Sequence, residues 1–264
     1  MTFPKVTATR FTGQVSSGRT KPCIIFGETD EHEEVELVVK FASGCEFRGL
    51  ICELIASLLA DDLGLPVPEA FLVETSEDFA RTVPIQEAAA NIRKSCGLNF
   101  GSRKLGAQFS TWPVNRPIPL GLRPVAAEVL AFDGLIQNPD RRWNNPNCLV
   151  RGEELAIYDH DLAFSFLSAV IGGKQPWEAG GLDFLASNQN RHVFYNGLKG
   201  TPVNLERLSG AFENIDQKRL AEYLSAVPEQ WQDGTDGAQR IIAYIEKLRE
   251  HLTGAIAEVA RTLA

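Results

Sequence analysis

The sequence predicts an α+β chain. β-branched, strand-like runs lie before residue 41, helical patterns fill the chain after Leu205, and a polar loop followed by a hairpin stands between them. With 264 residues the chain can bury a sizeable core, and a single two-lobed unit fits that length as well as two independent domains do.

Taken in order, residues 8–15 and 23–27 read as paired strands around Ser16-Ser17-Gly18-Arg19-Thr20-Lys21-Pro22. Free amides, hydroxyls and two cations suit that hairpin loop to a phosphate. Ser-Gly turns are nevertheless common, and the chain has neither Walker-type spacing nor a Gly-x-Gly-x-x-Gly string. Residues 35–41 form a β-branched run that carries Lys40 between Val39 and Phe41. A lysine in that setting can bury its stem while its ammonium meets an anion, or it can serve as an edge-strand charge that discourages aggregation.

Residues 48–63 predict a helix that stops at Gly64, with Pro66 and Pro68 beyond. It is nearly all apolar from Leu50 to Ala60, and Glu53 is the exception. A carboxylate in such surroundings wants a cation, for which Lys40 is the obvious candidate; the competing reading places Glu53 on a wet stripe of the helix. Residues 74–113 are expected to be a crossover, and the Gly- and Pro-rich stretch 95–124 an insert.

A helix is expected over residues 125–136, followed by the loop Asn138-Pro139-Asp140-Arg141-Arg142-Trp143-Asn144-Asn145-Pro146-Asn147. Cys148-Leu149-Val150 starts a short strand, residues 151–154 turn, and Leu155-Ala156-Ile157-Tyr158 returns, so the hairpin brings Asp159 back beside Asp140. Asn, Asp and Pro form turns without any function. Two acidic loops joined by one hairpin, with an Asp at each end, instead match the base and metal-binding halves of a phosphotransferase site. Phosphoryl transfer needs Mg²⁺ on the phosphates, a carboxylate orienting the attacking hydroxyl and a cation on the charged oxygens. An Asp plus an Asn carbonyl, with phosphate and water oxygens, is a usual Mg²⁺ set.

His160 and Asp161 can add a metal contact, or His160 can be a structural hydrogen-bonding group. After Phe164 a loop with short helical turns, containing Gly172-Gly173, Trp177 and Gly180-Gly181, runs to Val203. Helices are expected over 205–212 and 217–226, with one long amphipathic helix over 237–263. There is no internal repeat.

The net charge of −8 argues against a nucleic-acid partner. Five cysteines without regular spacing give neither a disulfide framework nor a Cys-x-x-Cys metal site, which points to a reducing cytoplasm. Residues 1–5 lack an apolar export core, and no run has the length of a membrane helix.

The order of hairpin loop, Lys40 strand, Glu53 helix, Gly64-Leu65-Pro66-Val67-Pro68, Asn138-Pro139-Asp140-Arg141 and Tyr158-Asp159-His160 resembles the HipA-like kinases, in particular their compact bacterial branch. The likeness runs from about Arg10 to Trp231 and is sharpest over 140–147 and 159–164; it extends more distantly to phosphoinositide kinases. The resemblance implies a bilobal protein-kinase-like fold with a small antiparallel β-rich lobe over residues 1–75, a mainly helical lobe over 76–264, and ATP in the cleft. By position, Lys40 contacts the ATP phosphates with Ser17 and Gly18 of the hairpin loop, and Glu53 holds Lys40. Asp140 is the catalytic base and Asp159 binds Mg²⁺. Kinase spacing points to Asn145 as the second metal ligand, whereas the apolar triplet after Asn147 favours Asn147, which is preferred. The acceptor implied is Ser or Thr of a protein. Three departures stand out: Asn138-Pro139 in place of His-Arg, Asp159-His160-Asp161 in place of Asp-Phe-Gly, and no proper Gly-rich loop.

Two other readings remain. One is a nucleotide-binding regulator without transfer activity on the same fold. The other is a metal-dependent hydrolase using Asp140, Asp159, His160 and Asp161, which has no need of a strand lysine paired to a helix glutamate.

Overall fold

The computed structural model describes residues 3–15, 18–168, 173–232 and 236–264. Strand β1 (Lys5–Gln14) pairs antiparallel with β2 (Cys23–Thr29), and β2 with β3 (Glu34–Lys40). Alternation in β3 turns Val35, Leu37 and Val39 inward, where all three are buried. Helix α1 (Ala42–Asp62) follows, then β4 (Ala70–Thr75), the short helices α2 (Glu77–Thr82) and α3 (Gln86–Arg93), and β5 (Gly97–Arg103).

β5 lies in the stretch expected to be a crossover, and it pairs antiparallel with both β3 and β4. The last ladder, β1 with β4, is parallel and closes the ring in the order β1-β2-β3-β5-β4. The sheet is therefore a mixed closed barrel rather than antiparallel throughout. Two irregularities in β1, between Ala8 and Arg10 and between Phe11 and Gly13, bend it enough to reach both partners. Closure leaves little room inside: a Cβ on Gly101 would lie 2.5 Å from Val73 Cγ2. Phe79, Ala80, Ala88 and Ile92 of α2 and α3 join the barrel core of Ile25, Leu37, Val39 and Val73.

A second core contains the inner face of α1 and the remaining helices. These are α4 (Arg123–Leu135), α5 (Tyr195–Leu198), α6 (Glu206–Glu213), α7 (Gln217–Ala226), α8 (Gly237–Glu250) and α9 (Leu252–Leu263). The long carboxy-terminal helix expected from the sequence is thus two helices, broken at His251, whose ring stacks on Trp177 at 4.9 Å. Helix α1 also breaks, at Glu46 with φ 61°, so its regular part starts close to the expected Arg48. Gly64, with φ +64°, ends it as expected: the Gly64 and Leu65 amides donate back to the Asp61 and Ala60 carbonyls. A small sheet of β6 (Ser110–Thr111), which precedes α4, with β7 (Cys148–Arg151) and β8 (Glu154–Ile157), which follow it, holds the expected hairpin, with Cys148 opposite Ile157. Among the described residues no helix is long and apolar enough to cross a membrane.

Candidate active site

Lys40 is the last residue of β3 and Glu53 lies on the buried side of α1. Their side chains meet: the Lys40 ammonium donates to Glu53 Oε1 and to Asp159 Oδ1, and Asp161 Oδ2 is 3.8 Å away. Burial works against the Lys40 charge, but Glu53, Asp159 and Asp161 outweigh it and raise its pKa. Burial pushes the Glu53 carboxyl above the ordinary range, with Asp159 and Asp161 adding and Lys40 opposing. Asp159 is held below it, because Lys40 overcomes the effect of burial. Neither the edge-strand reading of Lys40 nor the wet-stripe reading of Glu53 describes these two buried, paired groups.

The loop after α4 is built by its own side chains. Asn138 donates to Asp133 Oδ1 at 2.7 Å, and its Oδ1 accepts from the Asp140 amide at 3.1 Å, an Asx turn that sets Asp140 in place. Asp140 Oδ2 accepts from Asn145 Nδ2 at 2.8 Å and from Asn147 Nδ2 at 3.0 Å, while Oδ1 accepts from Arg142 at 2.9 Å. Both asparagines therefore converge on Asp140 through their amide nitrogens, and among the described residues nothing donates to their amide oxygens. Asn147 also accepts from the Tyr158 amide at 3.1 Å through its backbone carbonyl, which ties it to the residue before Asp159. The hairpin thus brings the two predicted loops together, with Asn147 touching both. Strained backbone collects here: Gln137, Asn147, Asp159 and Phe164 have φ of 50°, 43°, 66° and 52°.

A group absent from the sequence reading holds this arrangement. Asp133, in the last turns of α4, is completely buried and accepts from Arg141 Nε at 2.6 Å, from Asn138, and from His192 Nε2 at 3.0 Å. Arg141, also completely buried, donates onward to the Asn147 carbonyl, to the Tyr158 carbonyl at 3.0 Å and to His160 Nε2 at 2.9 Å. One guanidinium therefore joins α4, the Asp140 loop and the Asp159 loop. The argument that singles out Glu53, a charge inside an apolar helical run, applies equally to Asp133 in Leu130-Ala131-Phe132-Asp133-Gly134-Leu135. The isolated bridge of Arg142 with His192 and the Val193 amide on the Arg141 carbonyl then dock the 191–193 segment on the loop.

His160 is structural. Its Nε2 faces an obligate donor, so it accepts, the proton sits on Nδ1, and the ring is neutral. Burial and Arg141 push its pKa down to about 3 from 6.5. As pH falls below 6.5 the unfolded chain takes up a proton that the folded chain refuses, so this group lowers stability progressively on acidification. His160→Gln keeps an acceptor for Arg141 and removes the titration. Urea unfolding between about pH 6 and pH 5 is expected to show a pH slope smaller by about 1.4 kcal/mol per unit in this variant.

Of the hairpin-loop residues, Ser17 lies outside the described residues, and Gly18 has φ +103° with open space around it. Among the described residues no three His, Cys, Asp or Glu side chains form a group able to hold a metal by themselves. The donors at hand, Asp159 with the amide oxygens of Asn147 and Asn145, instead suit an ion that takes its other ligands from phosphate and water, as Mg²⁺ does.

No curated protein is similar to the chain at a significant level. Among solved structures it is similar to the crystal structure of the Helicobacter pylori proinflammatory kinase CtkA, with a TM-score of 0.52 over 98% of this chain and 97% of that one. At 12% identity that likeness speaks for the fold alone. The family model of HipA-like kinases matches residues 8–175, which span the hairpin loop, Lys40, Glu53, Asp140, Asn147 and Asp159. The chain belongs to the HipA-like kinase family.

Proposed function

We propose that this chain is an ATP-dependent kinase that transfers the γ-phosphate to a hydroxyl, Ser or Thr of a protein in keeping with its family. The observation that carries the reading is the convergence of a buried Lys40–Glu53 pair on Asp159, next to a loop whose Asn145 and Asn147 present Asp140. The barrel with α1 to α3 is read as the nucleotide-facing lobe, with the division after β5 instead of at residue 75, because β5 belongs to the barrel ladders.

Asp159 can release Lys40 to take a metal, and Lys40, still held by Glu53, then has a donor for a phosphate oxygen. Mg²⁺, when bound, neutralises charge on the phosphates and fixes their geometry. Asn147 is the preferred second ligand over Asn145, since its backbone contact to Tyr158 keeps it beside Asp159. Asp140, presented by its three donors, orients the acceptor hydroxyl and receives its proton. The hydrolase reading is disfavoured, because His160 turns its accepting nitrogen to Arg141 and not to an ion.

Calorimetric titration of ATP with and without Mg²⁺, followed by mass spectrometry for phosphate on the chain, tests the reading. Mg²⁺-dependent binding that Asp159→Ala weakens by about tenfold or more, together with phosphate on Ser or Thr, is expected. Mg²⁺-dependent binding without any transfer would favour the regulator, and no ATP binding in either condition would remove both kinase-fold readings.

A further inference from the structure

A cavity of about 330 Å³ lies between the last turns of α1, helix α7 and the segments that lead into β1 and β4. None of its lining residues belongs to the candidate active site, although Ser57, on its wall, follows Glu53 by one helical turn. Protein interiors seldom keep a void larger than a water molecule, whereas ligand sites begin at about this size. The walls are fixed. Arg219 of α7 donates to Asp62 of α1 from Nε at 2.6 Å and from Nη2 at 2.9 Å, and the Tyr223 hydroxyl donates to the same carboxylate. On the other side the Leu72 amide donates to the Pro4 carbonyl and the Ile157 amide to the Pro66 carbonyl, which ties down the chain on either side of the cavity.

The lining sets the chemistry of an occupant. Phe3, Leu58, Val67, Ala70 and Ala226 offer an apolar surface. Ser57 stands in that surface with 7% exposure, and among the described residues its hydroxyl has no hydrogen-bond partner. A buried hydroxyl in that state gains from a polar atom that a ligand brings. Charge on the wall is one-sided, with Asp61, Glu69 and Glu222 against Arg219. Glu222 is on Arg219 at 2.7 Å and Glu69 on Arg103 at 2.6 Å, so Asp61 is the lining carboxylate with no ion pair among the described residues. Asp61 is exposed in the last turn of α1, at the negative end of the helix dipole, and that turn carries no basic residue to offset it. One uncompensated negative charge at the rim of an apolar hollow is complementary to one positive charge on an apolar body.

We propose that this cavity binds a small organic amine, with the ammonium on Asp61, the apolar body between Leu58, Val67 and Ala226, and a polar atom of that body on the Ser57 hydroxyl. The site is separate from the candidate active site and stands whether or not the chain transfers phosphate. Binding involves no covalent change.

NMR titration at low salt with tryptamine, and with indole-3-acetate as an anionic counterpart of similar shape, tests it. The wild type is expected to bind tryptamine with a Kd of about 1 mM or below, and indole-3-acetate at least about fivefold more weakly. Asp61→Asn, an exposed change that leaves the packing intact, is expected to weaken tryptamine about fivefold. Ala226→Phe places a ring in the cavity and is expected to abolish tryptamine binding, with urea unfolding of the same variant showing that it is folded. No tryptamine binding by the wild type up to about 10 mM would overturn the proposal. Equal affinity for the two ligands, or unchanged tryptamine affinity in Asp61→Asn or in folded Ala226→Phe, would overturn it as well, because the amine would then be held elsewhere or without its charge.

Discussion

Asp140→Ala is expected to reduce phosphoryl transfer about a thousandfold while ATP affinity stays within about twofold. The division follows from what the carboxylate touches. Its two oxygens accept from Arg142, Asn145 and Asn147, which fix the carboxylate in the orientation proposed to receive a substrate hydroxyl. Removing the carboxylate takes away the group proposed to orient and deprotonate the acceptor, but leaves Lys40, Glu53 and Asp159, on which nucleotide binding is proposed to depend. Radiolabelled ATP reports transfer, and calorimetry on the same preparation reports affinity. A variant that kept a tenth of wild-type turnover would place the base elsewhere.

Asp133→Ala is expected to be the most destabilising single change in the site, at about 3–5 kcal/mol. Both members of the Asp133–Arg141 pair are completely buried, so truncating one leaves the other as an uncompensated interior charge. His192 and Asn138 lose an acceptor at the same time. The Asp133 carboxyl is held well below the usual range, with Arg141 and then His192 overcoming burial. Its stabilisation is therefore complete at neutral pH and fades on acidification below the ordinary carboxylate pKa. Urea unfolding at neutral pH measures the cost, and a change under about 1 kcal/mol would show that the network carries no load. Because Arg141 also holds the Asn147 and Tyr158 carbonyls, activity should fall with stability even where the variant still folds.

The parts of the site that were legible in the sequence are those whose chemistry is local. Lys40 and Glu53 stood out as charges in apolar runs, and they meet in space. Asp140, Asn145, Asn147 and Asp159 stood out because a short hairpin fixes their relation, and that hairpin forms, with its return strand over Glu154–Ile157 one residue earlier than expected. Helix α7 runs over residues 217–226 as the apolar spacing predicted. What escaped was long-range or lacked a strong pattern. His192 reaches Asp133 across 59 positions, a relation that no periodicity records. β5 reads Gly-Leu-Asn-Phe-Gly-Ser-Arg, with no β-branched residue, so its strand character comes from pairing and not from propensity. Its Asn99, fully buried, donates to Thr75 Oγ1 at 3.0 Å, a polar contact that makes sense only inside the barrel. The break at His251 was hidden because apolar spacing continues on both sides of it.

The parallel pairing of β1 with β4 bears on how the chain reaches its fold during synthesis. β1 can form its hairpin with β2 at once, but its other edge stays open until Leu72, Val73 and Glu74 have been made and found Lys5, Val6 and Thr7, and the ring closes only when β5 joins β3 to β4. Until then Lys5, Val6 and Thr7 present unpaired amides and carbonyls along one side, a template for pairing with another nascent chain. Non-local closure of this kind is slow compared with hairpin and helix formation. The early barrel strands should accordingly be the part of the molecule most dependent on chaperone cover, and the helical remainder the part least so.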